Sequence, residues 1–217
     1  MRKILLLALS VATLAAAGCA TAPRADYSQL RQEDPHSILV IPATNKSVDV
    51  NVPDYFLATI SQPLADRGYY VFPVNMVRSV MADDGLSDAD MVHASDPRRL
   101  GQLFGADAIM YISIERWEAK YVVLSTKVTV ELDYTLKSAK TGSVLWTNHQ
   151  VMVYQPQASN AGLAGLIVDA ITAAVTKAAP NYMPLAQKAN LQAVGLKQSG
   201  LPAGPHNSEY RKDSADF

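Results

Sequence analysis

The chain of 217 residues predicts an α/β (α+β) sandwich, a mixed sheet of about five strands with helices packed on it. Three observations carry that prediction. Short β-rich apolar runs, each stopped by a proline, stand at 37–41 before Pro42 and at 69–72 before Pro73, with a helix-period segment between them. That is the sequence form of a βαβ unit. Residues 122–136 then alternate, with Val128, Val130, Leu132 and Tyr134 on one parity and Lys127, Thr129, Glu131, Asp133 and Thr135 on the other, as in an antiparallel strand with one wet face. Finally, a stripe of apolar residues at three- and four-residue steps fills 162–179, a helix that needs a sheet or another helix to cover it. The predicted order is β-α-β-α-α-β-β-β-α-α.

The first element is not part of the fold. Arg2 and Lys3 precede a short apolar run that closes with small residues at Ala17 and Gly18 before the single cysteine, Cys19. This is a secretory signal, 1–18, with a lipoprotein cleavage box between Gly18 and Cys19. The box departs from its consensus at Ala16, where Leu is preferred. The small side chains let the extended backbone enter a signal peptidase. The Cys19 thiol takes a diacylglyceryl group, and the freed amine takes a further acyl chain, palmitate among the usual ones. Several chains on one residue anchor stably, since each buried CH₂ contributes about 0.8 kcal/mol. Ala20 is not the aspartate that retains lipoproteins in the inner membrane, so the anchor is expected in the outer membrane. The signal run is too short to span a bilayer, and Asp169 and Lys177 interrupt the only other long apolar stretch.

Residues 19–36 are polar with two prolines and read as a lipidated flexible tether. The domain proper is expected at 37–196. Its first strand, 37–41, is a continuous apolar run, hence buried on both faces. Asn51 and Pro53 open a helix that Gly68 ends. The strand 69–72 follows, then a helix at 74–83 with Met76, Val77, Val80 and Met81 on its apolar face. Asp96-Pro97 starts another helix, closed by Gly105. The run 106–114 is the third strand. The alternating strand turns at 138–142 into a returning strand, 143–154. After the helix at 162–179, ended by Pro180, a last helix fits 183–194. Residues 197–217, rich in Gly, Pro and polar side chains, read as a disordered tail.

Composition narrows function. Losing the signal takes the net charge from −1 to −3, with no long basic block, so no nucleic-acid partner is expected. His36, His93, His149 and His206 lie far apart, and none stands at metal spacing, so no metal site or other cofactor is expected. The acidic turn 83–90 lacks the ligand register of a calcium loop. Gly162 and Gly165 do not make a phosphate loop, and no Gly-x-Ser-x-Gly frames a nucleophile. Glu115 and Glu118 flank Trp117 with nothing convergent beside them. No catalytic residue is assigned. Two apolar groups are interface candidates. One is Tyr69, Tyr70 and Phe72, where alternation sends one pair of side chains toward helices and leaves the other half exposed. The second is Leu163, Leu166, Ile167 and Ile171, which cover the sheet or meet another subunit.

Three segments together carry a resemblance: 35–42 (PHSILVIP), 63–73 (PLADRGYYVFP) and 103–108 (LFGADA), supported by Gly142-Ser143-Val144-Leu145-Trp146 and by Asn160-Ala161-Gly162-Leu163. They resemble a family of bacterial outer-membrane lipoproteins typified by a meningococcal surface-antigen candidate and catalogued as a domain of unknown function. The resemblance runs from the signal to about Leu196. It implies a fold like the N-terminal domain of the Tol translocation protein and of curli-secretion-type lipoproteins. It also implies a periplasm-facing assembly or transport accessory that self-associates as a dimer or ring and works beside a curli-secretion-type lipoprotein. It brings no catalytic residues. Two rival readings stand beside it: a periplasmic enzyme or ligand carrier with a cleft near 42–49 and 73–76, and a surface-exposed antigen.

Overall fold

The computed structural model of the chain describes residues 25–122, 125–154 and 182–217. In chain order its elements are α1 (Ser28–Glu33), β1 (Ser37–Val40), β2 (Thr44–Asn45), α2 (Val52–Asp66), β3 (Tyr70–Val71), α3 (Val74–Asp83), α4 (Ala89–Ala94), α5 (Pro97–Phe104), β4 (Ala108–Val122), β5 (Ser125–Ser138), β6 (Val144–Tyr154) and α6 (Met183–Gly195). The mixed α+β sheet runs β3-β1-β4-β5-β6, with β2 pairing onto β4. β1 is parallel to β3 and β4, while β4, β5 and β6 are antiparallel neighbours. The βαβ unit predicted between residues 37 and 72 is therefore present as β1-α2-β3.

Local chemistry sets the boundaries. Asp96 caps α5 by accepting from the Arg98 N–H at 2.9 Å, Pro97 opens it, and Gly105 closes it in the left-handed region. Asp88 caps α4 through the Met91 N–H at 3.1 Å, so the expected acidic turn holds a short helix. Asn51 precedes α2 as expected, but its side chain makes no capping bond. The β5–β6 connection closes with the Ser138 N–H donating to the Ser143 carbonyl at 2.8 Å and Gly142 at positive φ.

The alternating parity holds along β5: Val128, Val130, Leu132, Tyr134 and Leu136 are buried on one face. On β4 an irregularity between Ile114 and Arg116 shifts the register and turns Trp117 onto the same face as Ile112 and Ile114. There its ring meets Phe56 edge-on at 5.4 Å. That face carries α2, α6 and α1. The opposite face carries α3, α4 and α5, whose Val77, Met81, Val92 and Leu100 cover Leu39, Ile41, Ile109 and Tyr111.

Both predicted ends of the domain are corrected. The expected tether is ordered from Ala25: Tyr27 and Leu30 lie in the core, and the Tyr27 hydroxyl donates to the Gly200 carbonyl at 2.8 Å. The segment 197–217, expected to be disordered, packs against the domain. Leu201 and Phe217 are buried. Tyr69 donates to the Pro202 carbonyl at 3.0 Å, Arg67 pairs with Asp213 at 3.0 Å, and Arg31 donates to the Phe217 carbonyl at 3.0 Å. Composition misled here because the buried anchors Leu201 and Phe217 outweigh the polar residues between them. Gly68 is needed on the same account: its φ is +89°, and a Cβ there would stand 2.5 Å from the Asn207 nitrogen.

Candidate interaction surface

Pro73 cannot donate to a ladder, so β3 stops after two residues and forms a short edge. Parity then separates the tyrosines. Tyr69 is buried with its hydroxyl bonded to the tail, and burial raises its pKa. It is a core residue and leaves the expected interface. Tyr70 is 52% exposed. Its ring meets Phe72 edge-on at 5.1 Å, and Phe72 meets Phe104 of α5 at 6.3 Å, a row of three rings. Met76, in the first turn of α3, is 51% exposed, and Met91 of α4 is 55% exposed. Exposed aromatic and methionine side chains of this kind are enriched where proteins meet proteins. The second expected group, Leu163, Leu166, Ile167 and Ile171, lies outside the described residues, as do Cys19 and the cleavage position.

Of the cleft anticipated near 42–49 and 73–76, only residues 42–45 line a pocket, at the C-terminal end of β1. About 520 Å³ in volume, it is lined by Pro42, Asn45, Asp54, Arg78, Asp88 and others. Its polar groups bond mainly to each other and to backbone: Arg78 pairs with Asp54 at 2.8 Å, Asn45 donates to the Asp49 carbonyl at 2.9 Å, and Asp88 is the α4 cap. Behind it, His93 Nε2 lies 2.9 Å from the Pro42 carbonyl, and the His93 ring stands edge-on to Tyr111 at 5.2 Å. Burial pulls the His93 pKa down. Burial likewise pushes the Tyr111 phenol up to about 12. Lys46 and Glu115 form an exposed pair at 2.7 Å. Among the described residues, no group of three or more His, Cys, Asp or Glu side chains is placed to hold a metal, and no described helix is long and apolar enough to cross a membrane.

One pairing escaped sequence reasoning. His149 Nδ1 lies 2.7 Å from Asp133, because register sets Asp133 opposite His149. The alternation of the two strands was visible, but the offset between them was not.

Comparison with known proteins gives a consistent answer. Residues 25–206 match the family model described as "Putative lipoprotein GNA1162-like". The chain is 35% identical over 171 residues to the lipoprotein NMB1124/NMB1162 of Neisseria meningitidis serogroup B, a span covering 79% of this chain and 80% of that one. The crystal structure of lipoprotein GNA1162 from Neisseria meningitidis is 36% identical, with a TM-score of 0.56, covering 63% of this chain and 95% of its own. The PelC dodecamer from Paraburkholderia phytofirmans shows a slighter likeness, 12% identical with a TM-score of 0.39 over 61% of this chain and 80% of that one. The family match spans most of the chain, and the chain belongs to the GNA1162-like lipoprotein family.

Proposed function

We propose that the protein is a non-enzymatic accessory of an envelope export or assembly system, anchored to the outer membrane by acyl chains on Cys19 and facing the periplasm, which binds protein and associates with copies of itself as a dimer or ring. The row Tyr70–Phe72–Phe104, together with the exposed Met76, is the observation that carries this reading. It supports protein binding because its apolar rings sit at a short sheet edge, where a partner buries them without disturbing the core. The small residues before Cys19 support the anchor. In the cleft, carboxylates occupied by Arg78 and by the α4 N-terminus favour a structural role over catalysis. The resemblance suggests a curli-secretion-type lipoprotein as a further partner.

The test is the mass of the soluble domain, residues 20–217, by light scattering across a dilution series, with Tyr70→Ser and Met76→Ser run in parallel. A wild-type dimer or ring that dissociates in the double variant supports the reading. A wild-type monomer at every concentration contradicts self-association.

A further inference from the structure

Five residues, 20–24, separate the proposed anchor at Cys19 from Ala25, where the chain enters the fold. The Ala25 N–H donates to the Gln198 carbonyl at 2.9 Å, and two residues on, Tyr27 is buried with its hydroxyl on Gly200 at 2.8 Å and its ring edge-on to Phe217 at 6.0 Å. The C-terminal segment is itself held down, with the Gln198 N–H on the Asp216 carbonyl at 2.7 Å and Arg31 on the Phe217 carbonyl at 3.0 Å. A tether of residues 20–24 spans at most about 20 Å from Cys19 to Ala25. The same chain unpinned as far as His36 would reach about 60 Å. Strand β4 alone, with fifteen residues, is about 50 Å long. So short a tether cannot bring every side of the domain to the membrane.

The side on which Ala25 leaves is defined. α1 packs against β6, and Tyr27 and Leu30 belong to the core on the α2/α6 face. α4 packs against β2, and its Val92 belongs to the core on the other face. β4 and β5 stand between β2 and β6, a lateral separation of about 14 Å, and the sheet itself lies between the two helices. α1 and α4 are therefore on opposite faces and toward opposite sides of the sheet.

We infer that the side formed by α1 and strand β6 lies against the lipid surface, and that the α3–α5 layer, with Tyr70, Met76 and Met91, faces away from it. This rests on the lipid-anchor reading of Cys19 and adds an orientation to it. The occupant of the α1/β6 side is the membrane because the pinned tether ends there. The arrangement also shelters β6, eleven residues long and paired only with β5 among the described residues, from the edge-to-edge pairing that long open strands invite. It leaves the aromatic row free for a protein partner.

The test uses the full lipidated chain in vesicles of phosphatidylethanolamine and phosphatidylglycerol that carry a nitroxide on the headgroup. A fluorophore is placed on Gln29→Cys in α1 or on Met91→Cys in α4, both exposed positions. With Cys19 acylated, the introduced thiol is the free one. The expected result is several-fold stronger quenching at position 29 than at 91. A Gly-Ser insertion of about twenty residues after Thr21, with a root-mean-square span of roughly 25 Å, should remove most of the difference. Equal quenching at the two positions with the native tether, while mass spectrometry shows acyl chains on Cys19, overturns the orientation and leaves the anchor standing. An unacylated Cys19 overturns both.

Discussion

The two faces of the sheet are covered in different ways. On one face, α2, α6, α1 and the C-terminal segment come from distant parts of the chain and close over a continuous core that includes Phe56, Trp117, Tyr134 and Leu185. On the other, α3, α4 and α5 follow one another within residues 74–104 and cover chiefly the β1 and β4 strands. The first layer ties both ends of the described chain into the fold. Among the described residues, the second covers only part of its face, leaves Val151 and Val153 of β6 exposed, and places Tyr70, Met76 and Met91 in solvent. The first face thus carries most of the core, while the proposed recognition surface lies on the second.

The largest expected effect breaks the first layer. Phe56 is fully buried against Trp117, and Phe56→Ala should lower unfolding free energy by about 3–5 kcal/mol in a urea titration. Next comes the clamp between α2 and the tail. Asp213 accepts from Arg67 at 3.0 Å and from the Ala203 N–H at 2.6 Å, so Asp213→Ala leaves a half-buried guanidinium and the Ala203 N–H without this acceptor. A loss of about 3 kcal/mol is expected, with faster proteolysis after residue 200. A smaller loss, about 1–3 kcal/mol, is expected for Asn190→Ala. Asn190 accepts from the Tyr134 hydroxyl at 2.8 Å and donates to Thr59 Oγ1 at 2.9 Å, joining α6 to both the sheet and α2. The second layer should respond in the opposite sense: Tyr70→Ser with Met76→Ser should change stability by less than about 0.5 kcal/mol per site while weakening association.

The second layer also carries a pH signature. Burial holds the folded-state pKa of His93 below its ordinary value of 6.5, so the native state binds this proton less readily than the unfolded chain. Its contribution is fully present above pH 6.5 and is lost as pH falls from 6.5 through the lowered folded value. Nearby Asp90 works against the shift and Lys137 with it. His93→Gln should flatten that part of the stability profile, measured by thermal unfolding between pH 7.5 and about 5.

The alternating strand and the βαβ unit were legible because period and parity are local properties. Asp96-Pro97 and Gly105 likewise announced the ends of α5. What escaped depends on residues far apart in the chain. The sequence placed Trp117 only between two glutamates, and the irregularity after Ile114 is what turns it inward. The tail's Gly, Pro and polar content described its loops but concealed Leu201, Pro202 and Phe217, which are ordered by Tyr27, Tyr69 and Arg67 from the other end of the chain. Of the interface candidates, parity correctly separated Tyr69 from Tyr70, though it left open which of them points inward. That choice is made by the Pro202 carbonyl, more than a hundred residues away.

Amide hydrogen exchange on the soluble domain, compared at low and high protein concentration, tests the division between the faces most directly. Added protection on association is expected only in β3 and the following helix, residues 70–83, while α6 stays equally protected at both concentrations. Added protection confined to the α1 and β6 side, with residues 70–83 unchanged, would contradict it.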